Sequence, residues 1–464
     1  MKKPTGKPPK RQVSVQKKPT KTKPTRKPPK RQVPANKIEE TSAFEIIWQL
    51  FTGTVIDIIR ASTGYNPRRR LCNAAPLLQT LFTVFLTGQP LSFANLRSCF
   101  MATFGYVASC PFQNRFKQRQ AADFFREAFR YAVNQLAGID VGPLAGPLGC
   151  FSDVLIYDST SIRVPPRGRD ELPHCTESKA GAKLLVGYSA KSGLIDDCLC
   201  EAQTCADQKL WEKLVPELRQ GVLYLLDLGF FSRNIFNEAQ LAGADVLMRL
   251  KDKVKVRIVN DLTSGFAVPI PKMLPDEYLA IASKQDGTYY DLDVVWKNGK
   301  HSLMLRLVGY VHNRKKVRWY LTTVSREKLT APQVIMCYRM RWHVELLFRE
   351  IKQSADLGRC STANQHAVRA LTYAAMLSHV IVRAIRVQAA LDMQVPLEEL
   401  RPIACLRCIT QRARQILDLV VKGNLKKWIR FAATLAEDIL WEAQEKQPSR
   451  SRQRIALEMG AIGL

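Results

Sequence analysis

Apolar residues recur at helical spacing along the chain from residue 41 to about residue 148. Phe44, Ile47 and Phe51 fall on one face of a helix, and Pro76 to Phe85 repeats the spacing. Polar residues occupy the positions between them, as on a helix with one buried face. The pattern predicts a helical domain over residues 38–148, which we expect to bind DNA.

Two short helices separated by a turn are predicted inside this domain, at residues 91–104 and 109–117. Ser109 can cap the second helix, and Arg115 and Lys117 are basic. A helix-turn-helix reader of DNA has this pattern, with a helix that enters the major groove. Two consecutive core helices have it as well and are more common. Arg115 and Lys117 are therefore candidate DNA contacts.

The period of the pattern changes at Gly149. A short apolar strand at Val154 to Tyr157 comes first, and a continuous apolar strand at Val222 to Leu226 is of the kind that is buried on both faces. The remaining elements are two strands at 182–188 and 194–201, helices at 207–220 and 232–241, and a strand at 245–250. The order strand, hairpin, helix, strand, helix, strand is that of an RNase H-like fold, a mixed sheet with helices on both sides.

Residues 251–328 interrupt this order with β-type sequence. Tyr289 to Trp296 alternates, and the turn signal Asn298-Gly299 leads back into a second strand at 302–311. A further strand is predicted at 317–324, and helical spacing resumes at Ala331. The predicted fold is mixed α/β: an RNase H-like catalytic domain at 149–356 with a β insertion, flanked by N- and C-terminal helical regions. The C-terminal region, 357–464, is a candidate for dimerisation.

The charge of the chain indicates a polyanionic partner. Its 464 residues include 70 Lys and Arg against 41 Asp and Glu, a formal net charge of +29. Residues 1–37 hold 14 of the cations and no acid, and the segment Pro4 to Val13 recurs with one change as Pro24 to Val33. Such a tail cannot bury apolar surface and is predicted to be disordered. It is either a solubilising extension or an arm that binds phosphates by counterion release.

Cysteines and apolar runs predict an intracellular protein. The 12 cysteines read as reduced thiols, and Cys405 and Cys408 form a Cys-x2-Cys pair with no second pair to complete a zinc site. No apolar run follows the basic N-terminus, so a signal peptide is not expected. The apolar stretch at 370–385 is interrupted by His379 and Arg383 and is too short to span a bilayer. We expect a soluble protein of the cytoplasm, associated with the bacterial nucleoid.

Two predicted strands are each followed by an aspartate, Asp158 and Asp227. Ligands of open α/β sheets gather at the carboxyl ends of the strands. Two parallel neighbours would bring both carboxylates together, and a divalent metal would offset their repulsion. Either aspartate alone is more simply a residue that starts a turn.

A helix predicted around residues 338–352 adds a third carboxylate. At 100° per residue, Tyr338, Arg341, Glu345 and Lys352 project within a stripe of roughly 60°. A glutamate for metal, with an arginine and a lysine for phosphate oxygens, suits a metal-bound phosphodiester. A salt-bridged surface helix is the alternative, because Arg341 and Glu345 are four residues apart.

The spacing Tyr338-x2-Arg341-x3-Glu345-x6-Lys352 resembles the distinguishing motif of the insertion-sequence-four family of DDE transposases. Asp158-Ser159-Thr160 resembles the first aspartate motif of that family, and Asp227-Leu228-Gly229-Phe230 resembles the second. The likeness covers roughly residues 149–380, including a β insertion between the second aspartate and the glutamate. The basic tail matches nothing in the family.

The resemblance implies a cut-and-paste transposase that acts on the terminal inverted repeats of its own element. Asp158, Asp227 and Glu345 would hold two Mg²⁺ ions, for which Mn²⁺ can substitute. Such a pair activates a water for strand cleavage and stabilises the entering and leaving oxygens, and the freed 3′-hydroxyl then attacks the second strand or the target DNA. The partners implied are double-stranded DNA and a second copy of the chain, as a homodimer in the synaptic complex.

The resemblance also implies DNA contacts. Tyr338, Arg341 and Lys352 would contact phosphates near the cut, and Trp296 would stack on an extruded base. Two other functions remain open from the sequence: an RNase H-like nuclease without strand transfer, and a DNA-compacting protein that depends on its basic tail. Compaction needs no aligned carboxylates, so the complete triad argues against it.

Overall fold

The structure, a computed structural model, describes residues 43–444 apart from 52–53, 67–72, 138, 140–143, 145, 283–284, 299–300, 313–315, 356–357 and 359. The predictions for the basic tail at 1–37 lie outside the described residues. Thr41–Leu464 forms one compact unit, so the predicted divisions at 148/149 and 356/357 remain predictions from the sequence.

Among the residues that the structure describes, six α-helices precede the sheet. They are α1 (Ala43–Phe51), α2 (Thr54–Thr63), α3 (Ala74–Leu86), α4 (Phe93–Phe104), α5 (Ser109–Asn114) and α6 (Arg119–Leu136). The predicted pair of short helices corresponds to α4 and α5. Helix α6 buries a continuous apolar face that includes Phe125, Phe129 and Val133, and it lies against a long C-terminal helix, Gln365–Asp392. This contact makes α6 a core helix.

The mixed α/β core follows in the predicted order. Its elements are β1 (Asp153–Val164), β2 (Ala180–Ser189), β3 (Ile195–Ala202), α7 (Asp207–Leu214), β4 (Val222–Leu226), α8 (Arg233–Ala242) and β5 (Asp245–Arg249). Strands β1, β2 and β3 pair antiparallel, and β4 and β5 run parallel to β1. The RNase H-like prediction is confirmed. Helix α7 ends earlier than predicted because Val215, the residue before Pro216, leaves the helical region.

The β insertion extends the same sheet. It comprises β6 (Arg257–Asp261), β7 (Val268–Met273), α9 (Pro275–Ile281), β8 (Tyr289–Asn298), β9 (His301–His312) and β10 (Lys316–Thr322). Strand β10 pairs antiparallel with β5, which gives one ten-stranded sheet in the order β3-β2-β1-β4-β5-β10-β9-β8-β6-β7. The predicted β insertion is present, and it lies in the same sheet as the core because β10 pairs with the open edge of β5.

The helices after the sheet are α10 (Ala331–Arg339), α11 (Trp342–Ala355), α12 (Gln365–Asp392), α13 (Pro402–Gln411), α14 (Ala413–Lys422) and α15 (Leu425–Ala443). Helix α12 is longer than the apolar stretch predicted from the sequence, and by length and composition it could cross a membrane. However, 89% of its most apolar window is buried inside the protein, where α3, α6 and α15 lie against it. It is the central helix of a core that the N- and C-terminal helices share.

Candidate active site

The two aspartates follow the end of one parallel ladder. Strands β1 and β4 are adjacent, and their last paired residues are Tyr157 and Leu226. Asp158 and Asp227 are the next residues on each strand, so both leave the ladder at the same edge. Asp227 ends its strand as predicted. Asp158 does not: β1 continues to Val164 because β2 pairs with it beyond the point where β4 stops.

The helix that carries the glutamate is broken. The sequence predicted one helix over 338–352, but α10 ends at Arg339 and α11 begins at Trp342. Four bonds at the break run from residue i to i−3, including Arg341 N to Tyr338 O at 3.1 Å and Val344 N to Arg341 O at 3.3 Å. Such bonds tighten the chain into a 3₁₀ turn. The single-helix stripe was therefore wrong, and Arg341 lies at the junction of α10 and α11.

Arg341 brings the three carboxylates together. Its Nη1 donates to Asp158 Oδ2 at 3.0 Å and its Nη2 to Glu345 Oε1 at 2.6 Å. Its Nε lies 3.9 Å from Asp227 Oδ1, an ion pair rather than a hydrogen bond. Residues separated by up to 187 positions thus meet at one guanidinium, and only 20% of the Arg341 side chain is exposed.

The site is short of positive charge. The pKa of Asp158 is raised to about 6, chiefly by burial and in addition by the neighbouring charges of Asp227 and Glu345. The Ser159 N–H, which donates to Asp158 Oδ1 at 2.7 Å, and the Arg341 guanidinium lower that pKa but do not offset the burial. Three carboxylates around one arginine can therefore accept further cations.

A pocket of about 430 Å³ opens beside these groups. Its lining includes Asp158 and Glu345 together with Lys352, as the motif implies, and it includes Arg349, which the sequence analysis did not single out. Arg349 lies four residues after Glu345, so the helical spacing of the two residues was the signal. Both cations are exposed and suit the binding of phosphate oxygens.

Two predicted aromatic contacts lie close to the second aspartate. The phenol oxygen of Tyr338 is 3.5 Å from the carbonyl oxygen of Leu226, and burial raises the pKa of Tyr338 to about 12. Trp296, near the end of β8, packs its ring against Phe231 and Phe236 at 5.4 and 6.2 Å between centroids. It is partly buried and touches the segment that follows Asp227.

Arg115 and Lys117 lie elsewhere, between α5 and α6. The Arg115 carbonyl accepts a hydrogen bond from Tyr65 at 3.2 Å, and Lys117 is exposed. Neither residue lines the pocket or pairs with the three carboxylates. Any DNA contact that they make is remote from the acidic site.

The donor chemistry of the site fits Mg²⁺ or Mn²⁺. Carboxylate oxygens are the ligands these ions take, and the raised pKa of Asp158 marks a site that a cation would stabilise. Within the part of the chain that the structure describes, no three His, Cys, Asp or Glu side chains form a ready-made metal site. The position of Arg341 explains this, because its guanidinium lies among the three carboxylates where the ions would bind.

A fourth carboxylate near the site was missed by the sequence analysis. Asp207, the first residue of α7, accepts hydrogen bonds from Ser159 and Lys183. The available signal was Lys183 itself, a cation within the otherwise apolar strand β2. Charged residues are rarely buried unless they are paired, so a partner for this lysine could have been expected.

Comparison with known proteins places the chain in a family. A transposase for insertion sequence element IS231F from Bacillus thuringiensis subsp. israelensis is 23% identical over 268 residues, which are 50% of this chain and 56% of that protein. The IS231E transposase from Bacillus thuringiensis subsp. finitimus is 21% identical over 66% of this chain and 72% of that protein. The chain thus spans little more than half the length of the first of these relatives.

A cryo-EM structure of the piggyBac transposase synaptic complex with hairpin DNA aligns with 89% of this chain and 87% of that one, at 13% identity and a TM-score of 0.45. That likeness is too weak to support a conclusion. The family model of the transposase DDE domain matches residues 149–381, half of the chain. These residues include all three carboxylates, and the chain belongs to the transposase DDE domain family.

Proposed function

We propose that the protein is the transposase of an insertion element and cleaves and joins DNA at the inverted-repeat ends of that element. The observation that carries the proposal is the meeting of Asp158, Asp227 and Glu345 at the Arg341 guanidinium, at 3.0, 3.9 and 2.6 Å. Membership of the family and the likeness to insertion-sequence transposases support it.

The three carboxylates would hold two Mg²⁺ ions. Ions held there would supply an activated water and would offset the charge on the entering and leaving oxygens of the phosphodiester. Arg341 moves away from the carboxylates and, with Lys352 and Arg349, binds oxygens of the scissile phosphate. The first strand is hydrolysed, and the freed 3′-hydroxyl then displaces a second phosphodiester in a transesterification.

The remaining assignments concern DNA outside the reacting phosphate. Trp296 stacks on an extruded base at the element end, Tyr338 contacts a phosphate near the cut, and Arg115 and Lys117 bind DNA through the N-terminal helical domain. The basic tail adds contacts without sequence preference. The protein acts as a homodimer, with 357–464 as the dimerisation region, in the cytoplasm at the nucleoid.

The test is an in vitro cleavage and joining reaction. The substrate is DNA that carries the inverted repeats found at the genomic flanks of the gene, with scrambled repeats as the control. In Mg²⁺ the protein should nick at the repeat end and then yield joined products. The E345Q variant should bind the same DNA in a gel shift with nearly unchanged affinity but give no nick, because one carboxylate is lost while the shape of the site is kept.

Each other result has a definite meaning. Substantial cleavage by E345Q would show that Glu345 is not one of the catalytic carboxylates. Cleavage without joined products would favour an RNase H-like nuclease over a transposase. Equal binding and cleavage of scrambled repeats would contradict recognition of the element ends.

A further inference from the structure

Asp207 lies between the segments that carry Asp158 and Asp227. Its Oδ1 accepts hydrogen bonds from Ser159 Oγ at 2.8 Å and from Lys183 Nζ at 3.2 Å. Lys183 also donates to the Cys205 carbonyl at 2.8 Å, just before α7 begins. The side chains of Asp207 and Lys183 are only 23% and 15% exposed, so this ion pair is largely shielded from solvent.

Ser159 connects this pair to the first aspartate. The Ser159 N–H donates to Asp158 Oδ1 at 2.7 Å, while its hydroxyl is held by Asp207. The chain of contacts runs from Lys183 to Asp207, then to Ser159 and then to Asp158. The orientation of the Asp158 carboxylate therefore depends on where Asp207 holds the neighbouring serine.

The other oxygen of Asp207 abuts the second aspartate motif. A Cβ atom placed on Gly229, two residues after Asp227, would lie 2.5 Å from Asp207 Oδ2. Glycine is required there by the close approach of Asp207, since no left-handed φ is recorded at this position. The next residue of α7, Gln208, donates to the Phe231 carbonyl at 2.8 Å. The first turn of α7 thus touches the segments that follow both aspartates.

We propose that Asp207 is a positioning residue for the carboxylate site: it orients Asp158 through Ser159 and, packed against Gly229, fixes the separation of the two aspartate segments. The inference rests on the proposed function, since it assumes that the carboxylates hold metal ions. Partners of metal ligands commonly change metal affinity or activity by about 10–100-fold when they are replaced. Asp207 is not itself assigned a contact with metal or DNA.

The experiment compares metal binding by full-length variants. Mn²⁺ alone is titrated into wild type, D207N and G229A and followed by calorimetry, and unfolding is followed separately. D207N should raise the Mn²⁺ dissociation constant by about 10-fold or more with nearly unchanged DNA affinity. G229A should have the same effect, because the added methyl group displaces the Asp207 carboxylate.

The matched control is D196N. Asp196 is also a largely buried aspartate, 19% exposed, and it accepts hydrogen bonds from Arg219 at 2.7 Å and from the Tyr157 hydroxyl at 2.8 Å. Its loss should lower the melting temperature but leave Mn²⁺ affinity and cleavage at wild-type levels. A D207N variant that behaves like D196N would overturn the inference and reduce the pair to an ordinary salt bridge.

The S159A variant tests the route through Ser159, and it serves alone if D207N folds poorly. S159A alone should weaken Mn²⁺ binding, and S159A/D207N should bind no more weakly than D207N alone, because both changes break one chain of contacts. Fully additive losses would contradict that route. The E345Q variant distinguishes a failure of the inference about Asp207 from a failure of the proposed function. If E345Q loses Mn²⁺ and D207N does not, only the inference fails, whereas unchanged binding in E345Q removes the proposed function itself.

Discussion

Two clusters of arginine and carboxylate lie on the same sheet, and they differ in charge balance. The insertion cluster contains two cations and two acids: Arg306, Arg326, Asp291 and Asp293. Arg306 holds Asp291 through two bonds of 2.9 and 2.7 Å, and Arg326 lies 2.9 Å from both aspartates, with its approach to Asp291 lacking hydrogen-bond geometry. The site cluster contains one cation and three acids: Arg341, Asp158, Asp227 and Glu345.

Arg306 and Arg341, the central arginines of the two clusters, also differ in burial and in their hydrogen-bond partners. Arg306 is 5% exposed and also donates to three backbone carbonyl oxygens, the nearest being Leu329 O at 2.7 Å. Arg341 is more exposed, and Asp227 beside it is 43% exposed. A cluster with equal numbers of cations and acids fastens strands together. An unbalanced cluster at the edge of a ladder leaves acid charge for a ligand, which is the feature that marks a functional site.

The largest expected difference between the clusters is in cleavage. D158N should reduce cleavage of end-bearing DNA by about three orders of magnitude or more, since metal stabilisation is worth several kcal/mol and each 1.4 kcal/mol is tenfold. D293N, in the insertion cluster, should retain cleavage within a few fold. Single-turnover rates at saturating protein measure both. Equal losses in the two variants would contradict the claim that only the site cluster takes part in cleavage.

Stability should show the reverse order. D291A leaves Arg306 buried without its carboxylate and should lower the free energy of unfolding by about 3–5 kcal/mol. D158N should lower it little or raise it, because burial already disfavours the ionised form of Asp158. Urea unfolding of both variants, with a chelator present, checks this. A D158N variant as unstable as D291A would make the site cluster a structural one.

The extent of what the sequence predicts is clearest at this site. The apolar strand Val222–Leu226 and the helix predicted at 232–241 follow local rules and appear as predicted, and Ser232 caps that helix by accepting from the Ile235 N–H. The break before Trp342 was missed because neither glycine nor proline marks it. The polar run after Tyr157 was read as a turn, yet it pairs with β2. The position of Arg341 among the three carboxylates depends on tertiary contacts, and no local sequence pattern predicts it.

Strand β7 was missed for a related reason. It alternates Val268 and Ile270 with Pro269 and Pro271 and is largely exposed, and proline within such a run argues against a strand. It lies at the outer edge of the sheet, beyond β6, which is where proline is tolerated. The two prolines are therefore the reason that this edge strand was not predicted. Strands β8 and β9, in contrast, were predicted from their alternation.

A smaller effect concerns Arg341. R341A leaves three carboxylates without their common cation and should lower the free energy of unfolding by about 2 kcal/mol in chelator, the range of hydrogen bonds to charged groups. Mg²⁺ should restore most of that loss, because the ions then offset the acid charge. R326A serves as the control whose loss Mg²⁺ does not restore. Thermal unfolding with and without Mg²⁺ distinguishes the two, and equal responses would contradict the difference in charge balance.

The smallest predicted effect, taken over one pH unit, is a pH dependence. The pKa of Asp158 is raised to about 6 in the folded protein, so the folded state holds its proton where the unfolded state has released it. Stability from this group is therefore greatest below about pH 4 and falls as pH rises to about 6, by roughly 1 kcal/mol per pH unit. The comparison of wild type with D158N in chelator isolates it. Parallel stability curves from pH 4 to 7 would show that the pKa is not raised.

The central claim is that Asp158, Asp227 and Glu345 together hold the catalytic ions. The most direct measurement is anomalous diffraction at the manganese edge from the protein bound to end-bearing DNA with Mn²⁺. We predict two manganese peaks about 3.5–4 Å apart, bounded by these three carboxylates, with the Arg341 guanidinium moved to a phosphate. Manganese bound elsewhere, or Arg341 still paired with all three carboxylates in the metal-loaded complex, would contradict the account.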